Sequence, residues 1–306
     1  MDFNSLIKEI CLENNIKCTN LSSDWIVVLE KDNVKKFIAG YKFGVNDHAF
    51  GEILDDKFAT YELLRLYDIP VCEHNIFYSK NNKNSYTQDR NNFDYIKNLF
   101  DKYNHDIVVK INNGTCGINV NRITNINDLK EFYEHFTNNS SYSICPFYNI
   151  ENEYRVIVLN NKIELIYKKE LPVVYGNNKN TIKELLENFN PKYFKNINND
   201  ELNSVLGLNE KYIYSWKFNL SSGSRPSLAI KDEEKKQILE IINNIISKIN
   251  VGFCSIDIIK TLDNKYMVLE INSGIMMKNF AQEVIGGYDI AKNIYTKAIL
   301  EMFENN

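Results

Sequence analysis

A chain of 306 residues is long enough to fold as two or three packed lobes. Its apolar and charged fractions, 44% and 25%, are those of an ordinary globular protein rather than a disordered or fibrous one. A net charge of −4 gives no electrostatic reason to expect nucleic acid or an anionic membrane as a partner.

The N-terminus, Met1-Asp-Phe-Asn-Ser-Leu-Ile-Lys-Glu, is too polar for a signal peptide, and no apolar run approaches the roughly 20 residues that cross a membrane. Residues 5–15 carry a helical pattern, and Trp25-Ile-Val-Val-Leu-Glu30 reads as a buried strand. A helix is expected from Asp56 to Asp68, with Phe58, Tyr61, Leu64 and Leu66 spacing its apolar stripe. It stops before Ile69-Pro70, because the residue preceding proline avoids helical geometry. Asn81-Asn-Lys-Asn84 is a loop, and Asn92 is an N-cap for a helix running to about Lys102. Ile107-Val-Val-Lys110-Ile is a strand, 112–117 a loop, Ile118 to Ile123 a second strand and Asn127 to Phe136 a helix. Glu153 to Tyr167 reads as a hairpin turning at Asn160-Asn161. Its register puts Val156, Val158, Ile163, Leu165 and Tyr167 on one face, and Glu153, Arg155, Glu164 and Lys168 on the other. Residues 188–212, polar and Asn-rich, read as a surface loop with a short helix, and residues 232–249 as an amphipathic helix with Ile238, Ile242, Ile245 and Ile249 on its stripe. Without a strict βαβ period, the class is α+β with mainly antiparallel sheets. The six cysteines, at positions 11, 18, 72, 116, 145 and 254, form no CxxC and no His cluster. They read as reduced thiols of a cytoplasmic protein, neither a disulfide framework nor a zinc site.

Two stretches carry chemistry. Phe253-Cys-Ser-Ile-Asp257-Ile-Ile and Met267-Val-Leu-Glu270-Ile-Asn272-Ser-Gly274 read as two strands joined by a tight turn at Asp263-Asn264. With Leu262 facing Lys265, Asp257 stands opposite Glu270, about 5 Å away on one face, and Asn272 joins them there. Opposed carboxylates repel unless a cation lies between them, and all three side chains offer the oxygen ligands that magnesium takes. The competing reading is an exposed polar strand face; the apolar flanks Ile256, Ile258, Val268, Leu269 and Ile271 count against it. Second, Lys110 ends a strand and Asn112-Asn-Gly114-Thr115-Cys116-Gly117 follows at once. Glycines there let backbone N–H groups approach a phosphate while the ammonium adds a point charge. An ordinary glycine hairpin with a solvated lysine is the alternative. No Walker A or GxGxxG motif is present, so a bound nucleotide would be held by another scheme.

In this order, these pieces resemble the ATP-grasp superfamily. Within it the chain is similar to the ATP-grasp domain of cyanophycin synthetase and to the ribosomal-protein glutamate ligases. The resemblance also rests on Asp56-Lys57-Phe-Ala-Thr60…Leu64 with Ile69-Pro70, on Glu153-Tyr-Arg155-Val, on Leu171-Pro172…Gly176…Thr181-Ile182-Lys-Glu184-Leu185-Leu186, and on Asn219-Leu-Ser-Ser-Gly223. It covers roughly residues 55–280. It implies an ATP-grasp fold: an N-terminal lobe with a linking helix (1–92), a small lobe bearing the glycine loop (93–149) and a large lobe bearing the metal site (150–306). It implies that Lys57, Lys110, Gly114, Thr115 and Gly117 contact the ATP phosphates, that the backbone at Phe147 and Tyr148 meets adenine and that Glu153 holds the ribose. Asp257, Glu270 and Asn272 would hold two magnesium ions, or manganese in their place, and Arg155, Lys168 and Arg225 would gather at the transferred phosphate. Without the resemblance, Lys57 reads as a helix cap, and Arg155 and Lys168 as a cross-strand charge set with Glu153. Cys116 has no His near it in sequence and is not read as a nucleophile; Met276 and Met277 suggest an apolar wall in the acceptor pocket. The implied activity is that of a cytoplasmic ADP-forming ligase joining a small-molecule or peptide carboxylate to an amine, with homo-oligomerisation left open. The rivals are an ATP-grasp phosphotransferase, a nonenzymatic nucleotide-binding module and an unrelated α+β binding protein.

Overall fold

Leu6, Ile7 and Ile10 recur at helical spacing and the Asp2 carboxylate accepts the amide of Ser5, so Phe3–Glu13 winds into α1. In the computed structural model, which describes residues 2–82, 89–115, 117–135, 141–189 and 199–304, α1 leads into an antiparallel meander. Its strands are β1 (Lys17–Leu21), β2 (Ile26–Lys31), β3 (Val34–Ala39) and β4 (Lys42–Phe43). Only alternate residues of β2, Val27 and Leu29, are buried. Trp25, expected inside a buried strand, precedes β2 and is 60% exposed, because a meander wets one face. Next come α2 (His48–Asp55) and α3 (Lys57–Leu66), each opened by an aspartate cap, Asp47 and Asp56.

The chain then builds a four-stranded sheet from β5 (Asn75–Tyr78), β6 (Ile107–Ile111), β7 (Asn121–Ile123) and β8 (Ser141–Pro146), in the order β5-β8-β6-β7. Helices α4 (Phe93–Lys102) and α5 (Ile126–His135) cover it through Ile96, Leu99, Leu129 and Phe132. Asn92 caps α4 by accepting the amide of Tyr95. The strand expected from Ile118 starts only at Asn121, because Gly117 (φ 65°) and Asn119 (φ 56°) adopt left-handed backbone that breaks extension. Phe136, Lys83 and Asn84 lie outside the described residues.

The larger sheet takes β9 (Ile150–Leu159) and β10 (Lys162–Glu170). An insertion follows: β11 (Val173–Tyr175), α6 (Ile182–Phe189), α7 (Asn199–Leu202) and β12 (Lys211–Ile213). Of the expected loop at 188–212, residues 190–198 lie outside the described residues. The sheet continues with β13 (Arg225–Ser227), then α8 (Asp232–Lys248), β14 (Phe253–Thr261) and β15 (Tyr266–Asn272), and the chain ends in α9 (Lys278–Glu283) and α10 (Gly287–Glu304). The strand order is β13-β10-β9-β14-β15. Ile238, Ile242 and Ile245 of α8 pack on one face with Tyr154, Val156 and Ile256. The other face carries Ile157, Tyr167 and Phe253 into a core shared with α1, the meander and α10.

Two bulges set this sheet's registers. The β9–β10 turn at Asn160-Asn161 is as expected, with both residues left-handed (φ 47° and 57°). Beyond Ile163, opposite Val158, the ladder slips at Glu164. Leu165 then faces Ile157, Tyr167 faces Arg155, and Lys169 faces Glu153. The single apolar face expected for this hairpin is therefore split, with Ile163 on the α8 side and Leu165 and Tyr167 on the other. In β14–β15 the turn holds three residues rather than two, since the Thr261 amide donates to Lys265 O and Lys260 faces Tyr266. That displaces the ladder by one residue; a bulge at Leu269 displaces it back, and Asp257 faces Glu270 after all.

Candidate active site

A cavity of about 230 Å³ lies between the two sheets, lined from both. On its large-sheet side, Arg155 donates through Nε and Nη2 to the two carboxylate oxygens of Asp257, each at 2.7 Å. Lys169 Nζ donates to Asp257 Oδ2 at 2.8 Å and to Glu153 Oε1 at 2.5 Å. Asn272 Nδ2 donates to Glu270 Oε1 at 3.3 Å, while Glu270 Oε2 lies 3.8 Å from Lys57 Nζ and 3.9 Å from Lys110 Nζ. Four cations (Lys57, Lys110, Arg155, Lys169) thus meet three carboxylates (Glu153, Asp257, Glu270), an excess of one positive charge before any anion enters.

Burial raises the carboxyl pKa of Asp257, but Arg155 and Lys169 outweigh it and hold the group well below the usual carboxylate range. Burial of Glu270 is likewise outweighed by Lys57 and Lys110, which lower it. At Glu153 burial wins over Lys169, and the carboxyl is pushed up to about 7. Burial lowers the ammonium of Lys57 against the pull of Glu270.

The loop after β6 is latched from three sides. Lys57 Nζ donates to Gly114 O at 2.6 Å and to Asn112 O at 3.2 Å, and Lys217 Nζ donates to Val120 O at 2.6 Å. Gly117 presses on Asn219, so a Cβ there would come within 2.5 Å of Asn219 Nδ2. At the opposite end Phe147 meets Trp216 edge-on at 5.4 Å, and the Arg122 guanidinium lies 3.5 Å over the Phe147 ring. The Tyr148 hydroxyl accepts the Glu73 amide at 2.9 Å.

Of the sequence-predicted residues, Lys57, Lys110, Gly114, Thr115, Gly117, Phe147, Tyr148, Glu153, Arg155, Asp257, Glu270 and Asn272 all line this cavity. Lys168 and Arg225 do not. The Glu164 bulge turns Lys168, opposite Tyr154, to the α8 side and brings Lys169 to the cavity. Arg225, opposite Glu170 on the edge strand β13, has its guanidinium 5.0 Å from the Phe189 ring. Glu153, expected at the ribose, is 6% exposed and bonded to Lys169. Met276 lines the cavity but Met277 is buried in the core, so only one of the two forms a wall. Lys169 and Lys217 had no sequence signal of their own. Asn219 had one, the Asn-Leu-Ser-Ser-Gly run. Cys116 lies outside the described residues.

Among the described residues no three His, Cys, Asp or Glu side chains converge on one point. The donors on hand are the carboxylates of Asp257 and Glu270 and the Asn272 amide, on adjacent strands and facing one side. Those hard oxygens fit magnesium, whose remaining positions go to water and phosphate.

A family model of the ATP-binding domain of the carbamoyl-phosphate synthase L chain matches residues 154–300. No curated protein matches the sequence. A bifunctional glutathione synthetase from Pasteurella multocida superposes with a TM-score of 0.54 at 14% identity, over 96% of this chain and 43% of that one. A D-alanine–D-alanine ligase from Bacillus anthracis gives 0.52 at 14% identity, over 82% and 67%. A D-cycloserine synthetase gives 0.51 at 11% identity, over 84% and 73%. The chain thus spans less than half the length of the glutathione synthetase. Identities this low speak for the fold alone: the chain has an ATP-grasp fold, and the matched segment runs from within β9 through β10, β14 and β15.

Proposed function

We propose that the protein is an ATP-dependent carboxylate–amine ligase that activates its acid as an acyl phosphate and releases ADP and phosphate. The carrying observation is the arrangement of cations in two sets about one hairpin: Lys57 and Lys110 beside Glu270, Arg155 and Lys169 bonded to Asp257. A site built this way suits a triphosphate on the first set and a phosphoryl group in transit toward the second.

In this reading Lys57, Lys110 and the amides of the Gly114–Gly117 loop hold the phosphates, and Phe147, Tyr148 and Trp216 bound the adenine end. Asp257, Glu270 and Asn272 would hold magnesium, which supplies charge neutralisation between the phosphates and the incoming carboxylate. Arg155 and Lys169 face the charge that develops on the transferred phosphoryl oxygens. Glu153 orients the Lys169 ammonium rather than the ribose. The latched loop excludes water that would hydrolyse the acyl phosphate before the amine attacks. Met276 and Asn279 border the same cavity and suit the carboxylate's neutral portion.

The test is a screen of carboxylic acids with ATP, magnesium and hydroxylamine. The expected result is a hydroxamate of one acid class, with ADP and phosphate formed in step. AMP with pyrophosphate would overturn the mechanism. ADP with a stable phosphorylated hydroxyl product and no hydroxamate would make the protein a phosphotransferase.

A further inference from the structure

A β-bulge leaves one residue of the bulged strand out of the ladder, and here that residue is Leu269 of β15, immediately before Glu270. Its carbonyl is not left orphaned. His74 Nε2 lies 3.2 Å from Leu269 O, and His74 Nδ1 lies 2.7 Å from Ser143 Oγ. A carbonyl only accepts, so Nε2 carries the proton; burial holds the ring neutral, so Nδ1 accepts and the Ser143 hydroxyl donates. Both side chains are buried, His74 at 1% exposure and Ser143 at 0%.

The three partners come from different parts of the site. Ser143 on β8 stands directly opposite Lys110 on β6. Leu269 belongs to the large sheet. His74 ends the link that runs alongside β15, where the Val268 amide donates to Pro70 O at 2.9 Å and the Cys72 amide to Val268 O at 2.8 Å. One imidazole therefore ties the strand pair carrying Lys110 to the bulge that aims Glu270, across the cleft between the sheets.

We propose that His74 is a positioning residue for the metal–phosphate site, holding the Leu269 bulge so that Glu270 faces Asp257 and stays in reach of Lys110. The inference rests on the nucleotide–metal reading given above. The ring matters as a neutral donor at one edge and an acceptor at the other; an apolar ring of similar size would strand the Leu269 carbonyl in a dry environment.

The test uses manganese as a spin probe, titrated with a nonhydrolysable ATP analogue and read by electron paramagnetic resonance, beside a thermal melt of each variant. His74→Gln places an amide N–H near the position of Nε2 and keeps the bond to Leu269; His74→Asn reaches only the position of Nδ1 and loses it. His74→Phe and His74→Asn are expected to weaken manganese binding in the nucleotide complex by about 10–100-fold, the range for loss of an outer partner of a metal ligand. His74→Gln is expected to recover most of it. A merely structural role would lower the melting temperature in all three variants and leave manganese affinity unchanged in those still folded at the assay temperature, which would overturn the proposal. So would equal weakening by His74→Gln and His74→Asn. If the unsubstituted protein holds no manganese with the analogue, the metal–nucleotide reading itself fails, and this inference with it.

Discussion

At the scale of single residues, two lysines that are neighbours in sequence face opposite sides of the sheet. Lys169 donates to Asp257 and Glu153 inside the cavity, whereas Lys168 lies behind it opposite Tyr154. If the proposed ligase reading holds, Lys169→Met should lower ADP release on the order of 10²–10³-fold, the usual cost of removing one donor from a site where charge develops. Lys168→Met should stay within a few-fold. Steady-state ADP release checks the pair, and equal effects would refute the register assignment. Glu153 gives a pH signature. Burial pushes its folded-state pKa up to about 7, above the ordinary 4.5. Between those values the folded protein keeps a proton that the unfolded chain has released, so this group's contribution to stability falls as pH rises through that window. Glu153→Gln has no such proton. Urea unfolding at pH 5 and pH 7.5 should therefore show wild type losing about 2–3 kcal/mol relative to the variant over that interval. Parallel pH profiles would show that Glu153 keeps its ordinary pKa.

At the scale of elements, the loop after β6 is held by contacts that its own sequence does not contain. Gly117 is needed twice over, by its φ of 65° and by the 2.5 Å approach that a Cβ would make to Asn219. Gly117→Ala should weaken nucleotide binding several-fold, since left-handed backbone costs an L-residue about 1–2 kcal/mol and the side chain must also displace Asn219. The melting temperature should fall by only about 2–4 °C, since the loop can shed part of that strain by moving off Asn219 when no nucleotide is bound. Lys217→Met frees the Val120 carbonyl, and limited proteolysis at 112–120 should then speed up without nucleotide and slow again with an ATP analogue. Cleavage as slow as wild type in both states would show that Lys217 is no latch. The β14–β15 hairpin makes a related point. Its key pair was expected from alternation and an assumed two-residue turn. The real turn has three residues, and the Leu269 bulge restores the pairing. A bulge depends on what packs beside a strand, here the link at 70–74, so periodicity within the strand could not announce it.

At the scale of the whole molecule, the N-terminal helix and meander share their core with the C-terminal helix and the back of the large sheet. Leu6, Ile7 and Ile10 of α1 are at most 1% exposed against that core. Ile7→Ala should cost about 2–5 kcal/mol in urea denaturation, the range for emptying such a position, while ADP release per folded molecule stays unchanged. A loss under 1 kcal/mol would mean that α1 is only loosely attached. Local sequence was enough for the α+β class, the Asn92 and Asp56 helix starts, the Asn160-Asn161 turn and the two strands that carry Asp257, Glu270 and Asn272, while the pairing of Asp257 with Glu270 waited on the Leu269 bulge. What was legible follows from capping chemistry, turn residues and alternation, which act over a few neighbours. Only the tertiary structure decided that Lys169 rather than Lys168 enters the site, that Arg225 stays at the sheet edge, that Glu153 bonds an ammonium and that His74 binds the Leu269 carbonyl. Each depends on partners far apart in the chain, His74 and Leu269 being 195 residues apart, and on bulges whose one-residue slips reverse the face of every side chain that follows.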